Sequence, residues 1–167
     1  MSYRADTLAA RRQFERRDEM RLGQSPSEAS GASRSVEDLH TRERIALPAG
    51  LLGTWSATRW QYTSHDDATR AVDVVCDMGG AVTLSLSAGM YVVSHAIAGD
   101  GIHTQGGTCE VADDRLRLAS EHSNRVDVLR FRLAAETLSL QSDDSAWDFS
   151  GEGRDERAAF VAVLVRL

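Results

Sequence analysis

The chain has 167 residues, room for one domain with an extension, and its 42% hydrophobic content with only 2 Pro excludes a wholly disordered protein. The formal charge of -6 is unevenly divided: residues 1–48 carry nine Arg against eight acids and the remainder ten Arg against seventeen, which excludes nucleic-acid binding through a basic face of the folded part. All 19 basic residues are Arg, no run of about 18 apolar residues is present to span a bilayer as a helix, and at 6% aromatic content the core is expected to be built of Val, Leu and Ala.

Residues 5–22, "ADTLAARRQFERRDEMRL", have helix-forming content, but Leu8, Phe14, Met20 and Leu22 do not complete an apolar face at 3.6 spacing. The start has no apolar h-region and does not read as a secretory signal, so a cytoplasmic location is expected. "GQSPSEASGASRS" from Gly23 has linker composition, and "VEDLHTRERIAL" forms at most a helical turn or two before Pro48. Residues 1–48 therefore read as an extended, partly helical arm that gains order on a partner, with Leu8, Phe14, Arg11, Arg12, Arg16 and Arg17 as its docking residues. The two Arg pairs suit anionic headgroups at the cytoplasmic membrane face, or ion pairs with Glu15, Asp18 and Glu19 on a solvated helix.

From Leu51 the apolar period changes to two. "LLGTWSATRWQYT" opens a long strand, and "AVTLSLS" places Val82, Leu84 and Leu86 on one face before the turn "SAG" leads into "MYVVSHAIA". The alternation returns in "HTQGGTCEVA", "RLRLAS", "RVDVLRFRLA", "AETLSLQS", "AWDFSGEG" and "RAAFVAVLVRL", separated by tight polar turns. Regular hairpins without intervening helices predict an all-β antiparallel up-and-down meander over residues 49–167, and roughly eight to ten strands remove their edges best by closing into a barrel. The last strand is apolar on both faces, because Val161, Val163 and Val165 alternate with Phe160, Ala162 and Leu164. Its outer face needs cover from a loop, from the arm or from another chain.

Candidates for chemistry are few. His95 shares a face with Tyr91, Val93 and Ile97 and points into the barrel, as a ligand-binding or basic group or as a hydrogen-bonded core residue. Whether His103 joins that face depends on a one-residue choice of turn register. His65, Asp66 and Asp67 lie in a polar loop that reads as solvated. Arg115, Arg117, Arg130 and Arg132 alternate with apolar residues and belong to the outer face. Cys76 and Cys109 are too few for a disulfide scaffold and lack zinc-site spacing; two buried thiols are expected, with a single bridge as the alternative. No G-x-S-x-G elbow or phosphate-cradling Gly-rich run is present, so no enzyme, cofactor or metal is expected.

Gly53 and Trp55 at the head of the first strand, the meander that follows and Arg166 at its end resemble the lipocalin-like, calycin-type barrels, in particular small bacterial domains that open with "GTW". The resemblance covers about residues 51–167. It implies that Trp55 plugs one end of the barrel, that Arg166 packs over the indole and that Gly53 permits the close approach. "WDFSGEGRDE" resembles a "DFDGDG" turn of those domains, which is itself like a calcium loop, but Ala159 stands where the bidentate Glu of an EF-hand belongs, and a Gly-rich hairpin turn is expected.

Two functions follow as expectations. The first is a non-enzymatic accessory subunit of a larger assembly, membrane-extrinsic and docked through the arm and the last strand; a bacterial photosynthetic reaction-centre and antenna complex is the named host, with no motif behind the choice. The alternative is a carrier of a small apolar ligand, held in a barrel cavity lined by Tyr91, His95, Phe131, Trp147 and Phe149.

Overall fold

Strict alternation makes one face of each segment apolar, and nine strands bury those faces against one another in a computed structural model that describes residues 47–97 and 101–167. The strands are β1 (Gly53–Ser64), β2 (Ala71–Asp73), β3 (Ala81–Ser87), β4 (Met90–Ile97), β5 (Gly101–Ala112), β6 (Arg115–Ser120), β7 (Val126–Ala134), β8 (Thr137–Trp147) and β9 (Glu156–Arg166). All pairings are antiparallel, in the order β2-β1-β3-β4-β5-β6-β7-β8-β9, and β9 pairs back onto β1. Eight strands thus close into a barrel, while the short β2 lies beside the far half of β1, at Gln61, Tyr62 and Thr63. Closure gives each of the eight two neighbours, as the meander pattern predicts, although β7 and β8 pair only over residues 130–134 and 137–141. Among the described residues the only helical element is a 3-10 turn, Ala49–Leu51.

Two bulges decide which side chains face inward. In β1 the register against β9 shifts between Ala57 and Arg59, so the buried series Trp55, Ala57 continues on the other parity as Trp60, Tyr62 and Ser64. In β8 the register shifts between Ser142 and Ser145, so the series Leu138, Leu140, Ser142 continues as Ser145 and Trp147. One extra residue per bulge flips every later side chain to the opposite face. The segments "AETLSLQS" and "AWDFSGEG" are therefore parts of one strand, not two, with the "DD" between them carried by the bulge.

The core runs the length of the barrel, from Leu47, Leu51 and Trp55 at one end through Leu84, Leu116, Leu140 and Ala162 to Trp147 and Phe160 towards the other. Arg130 and Arg132 point outward while Leu129 is buried, as the alternation predicts. Val161 and Val163 are half-buried on the outer face, each between two paired neighbours, Gln61 and Gln141 or Arg59 and Ser139, and Val165 is exposed. The strands that flank this face place Arg59, Gln61, Ser139 and Gln141 beside it. Cys76 and Cys109 are both free: Cys109 is buried and Cys76 exposed, which corrects the expectation of two buried thiols.

Candidate functional site

The two ends of the barrel are built differently. At the end formed by the start of β1 and the finish of β9, Trp55 is fully buried, and its Nε1–H donates to the Leu51 carbonyl at 3.0 Å. The Arg166 guanidinium lies over the indole with its carbon 4.3 Å from the ring centroid. Its Nη1 donates to the Leu52 carbonyl at 2.8 Å, its Nη2 to the Gly50 carbonyl, and its Nε meets the Glu136 carboxylate at 2.9 Å. Gly53 has a φ of 129°, a conformation that side-chain-bearing residues rarely adopt, and a Cβ there would stand 2.8 Å from Arg166 Nη1, so a side chain would be strained and would push the guanidinium aside. Gly53, Trp55 and Arg166 thus form one plug that leaves no room for a ligand.

The opposite end holds a cavity of about 110 Å³. One wall is aromatic. Tyr62 and Trp147 stack with centroids 4.5 Å apart, and Phe160 packs against both Tyr62 at 5.1 Å and Trp60 at 5.0 Å. These rings arrive together because both bulges turn the far ends of β1 and β8 inward, so Trp60, Tyr62 and Trp147 reach the same space as Phe160 of β9. Val74, just after β2, is buried and closes part of this wall; Gly80 passes close beneath it, where a Cβ would stand 2.6 Å from the Val74 carbonyl.

The facing strands carry most of the polar groups of the lining, interleaved with Val82, Val93, Leu118 and Leu129: Arg125 Nε and Asp127 Oδ1 meet at 2.7 Å, with Tyr91, Gln105 and His95, while Ser145 stands on β8 two residues before Trp147. Burial disfavours the Arg125 charge, but Asp127, with Tyr62 and Asp155, outweighs it and keeps the guanidinium ionised. Burial, then the Asp127 charge, pushes the Tyr91 hydroxyl above its ordinary range despite a hydrogen bond with Gln105, so it remains a phenol at neutral pH. The wall accordingly offers a neutral hydroxyl, an amide, a cation and a carboxylate within one small space. Among the described residues no group of three His, Cys, Asp or Glu is placed to hold a metal ion.

Of the residues expected to line the cavity, Tyr91, His95 and Trp147 do so and two do not. Phe131 is a partly buried neighbour of Leu140, further along β7 towards the plug, and Phe149 lies beyond β8 beneath Arg70, whose guanidinium carbon stands 5.3 Å from its centroid. His103 sits directly opposite His95 on the neighbouring strand, and the two imidazoles stack with centroids 5.4 Å apart, which settles the register question. Sequence reasoning missed Trp60, Tyr62, Gln105, Arg125, Asp127 and Ser145. Asp127 carried a readable signal, since it shares the inward parity of Leu129 and Leu133; Trp60, Tyr62 and Ser145 lie beyond bulges that a strict period of two cannot see.

The loop after β8 is a turn organised by one carboxylate. Asp148 accepts from the Ser150 amide at 3.0 Å, the Ser150 hydroxyl at 2.8 Å, the Gly151 amide at 2.8 Å and the Gly153 amide. Burial opposes its ionisation, yet the Ser150 hydroxyl and the three amides together hold the carboxyl below its ordinary range. Its oxygens serve the turn. His65 donates from its ring to the Asp143 carbonyl at 2.9 Å, tying the first loop to the β8 bulge. The arm residues Leu8, Arg11, Arg12, Phe14, Arg16 and Arg17 lie outside the described residues.

No protein-family model matches the chain, and no curated protein does. Among solved structures the chain is similar to the crystal structure of a lipoprotein, YedD, from Klebsiella pneumoniae subsp. pneumoniae MGH 78578, with 13% identity and a TM-score of 0.42, over 75% of this chain and 78% of that one. On its own geometry the chain is an antiparallel eight-stranded barrel with one additional strand, plugged at one end and hollow at the other.

Proposed function

We propose that this chain is a lipocalin-like barrel that binds one small ring-bearing molecule in the cavity between the aromatic and polar walls. The observation that supports it is the contrast within one barrel: the Trp55–Arg166 end is filled, while the other end keeps about 110 Å³ beside stacked rings and hydrogen-bonding groups. That volume is well below the ~300–1,000 Å³ of drug-sized pockets and close to the ~150 Å³ that admits benzene in an engineered cavity. The ligand is therefore about one ring in size. The polar groups of the lining argue for a molecule with a hydrogen-bonding or charged group rather than the small apolar ligand expected from the sequence.

The test is titration of the full chain with three one-ring probes, benzylamine, benzyl alcohol and benzoate, followed by tryptophan emission and backbone amide NMR. Binding of any one that shifts the Trp60, Trp147 and Tyr91 resonances, and that is lost in Val93→Phe, supports the reading. No shift with any of the three sinks it. The accessory-subunit reading, with its reaction-centre host, leans on the arm; its test is purification of the native protein with and without residues 1–48, and a defined complex lost on truncation would carry it.

A further inference from the structure

The cavity end differs from the plugged end in charge as much as in packing. The loops and strand ends around the cavity, residues 65–80, 121–127 and 143–157, carry four, two and six acids against one, one and two Arg, a balance of -8. At the plugged end, residues 110–117, 130–136 and Arg166 carry four acids against five Arg, a balance of +1. Within that balance, Arg125, the one arginine on the cavity wall among the described residues, feels the charges of both Asp127 and Asp155, two carboxylates to one guanidinium.

Taken with the binding reading above, on which this step rests, we infer that the ligand is a small organic cation: a protonated amine on a ring or a compact alkyl ammonium. Three properties of the site select that class. A rim of one sign around a low-dielectric pocket concentrates ions of the opposite sign and raises their rate of entry by roughly 10- to 1,000-fold. Trp60, Tyr62, Trp147 and Phe160 line the cavity together, and aromatic rings of this kind stabilise a cation placed against a π face once it leaves water. The Asp127 carboxylate is itself paired with Arg125, but Asp155 adds a second negative charge to the field on that guanidinium, so the excess beside the cavity is negative, and the Tyr91 hydroxyl and Gln105 amide provide neutral hydrogen-bonding groups in the same lining. An anion meets the reverse: it enters against the rim and reaches Arg125 only by displacing Asp127, which already holds the guanidinium at 2.7 Å.

The same three isosteric probes separate this inference from the reading beneath it. At neutral pH and low salt, benzylamine is expected to bind at least about tenfold more tightly than benzoate, with an affinity that falls as salt is raised, whereas that of benzyl alcohol does not change. Asp127→Asn should weaken benzylamine and leave benzyl alcohol unaffected. Because that change strips Arg125 of its partner and can unfold this end, the double variant Asp143→Asn, Asp144→Asn serves as the second measurement: both residues are exposed at the β8 bulge, and their loss should slow benzylamine association without altering that of benzyl alcohol. Benzoate binding as tightly as benzylamine, or benzylamine association indifferent to the double variant and to salt, overturns the cation inference while the cavity reading stands. Silence of all three probes removes the cavity reading itself.

Discussion

The plugged end and the cavity end are built from the same strands, yet they solve opposite problems. At the plug every polar atom of Arg166 named above is engaged with carbonyls or with Glu136, and its flat face covers an indole with no exposed surface. At the cavity an ion pair, a phenol and an amide stand around space beside aromatic rings. Filled packing is the source of stability in a core, because each missing contact leaves its lining atoms without partners. A cavity forgoes that stabilisation and gains room for a guest. The comparison teaches that in this barrel stability and binding are separated along the axis, so changes at one end are expected to act on folding and changes at the other on ligand.

The largest break in the comparison comes from Trp55→Ala. Removing a fully buried indole and the surface on which Arg166 lies is expected to cost about 3–5 kcal/mol, read as a fall in the urea midpoint. Gly53→Ala tests the plug from the backbone side: a methyl at a φ of 129°, 2.8 Å from Arg166 Nη1, is expected to cost about 1–3 kcal/mol, and an unchanged midpoint would mean that the plug yields easily.

Asp148→Asn asks whether the loop beside the cavity has a stabilising device of its own. Removing the charge that four donors serve is expected to cost about 1–2 kcal/mol at neutral pH. The pH dependence has a fixed sign. The folded carboxyl is held below the ordinary 3.8, so its contribution is complete above that value and is lost as pH falls through the lower, folded one. Wild type and Asp148→Asn should therefore converge in stability only below about pH 4. The smallest expected effect on folding is that of Val93→Phe, within about 1 kcal/mol, because the larger ring enters existing space rather than a packed core. The same variant should abolish probe binding, which sharpens the separation of the two ends; a large loss of stability instead would show that the cavity wall has no slack.

Much of the architecture was legible because alternation is a local property. Val82, Leu84 and Leu86 occupy one buried face, and Arg130 and Arg132 the outer one, as a period of two requires. The far ends of β1 and β8 were not legible. A bulge at Thr58 and another at Asp143 and Asp144 carry no distinctive residue, yet they decide that Trp60, Tyr62, Ser145 and Trp147 face inward. Phe131 was misplaced for a related reason: alternation says that it points in, but its level along the barrel depends on the stagger of eight strands.

The sequence by itself determined that the chain is a closed antiparallel meander and which residues open and end it, since hydrophobic period and turn chemistry act over a few residues. Tertiary structure alone decided where the cavity lies, that His95 and His103 pair across neighbouring strands, and that Arg125 meets Asp127 beside the rings of Trp60 and Tyr62. Those outcomes depend on register and bulges, which are set by pairing between segments far apart in the chain and have no local residue code.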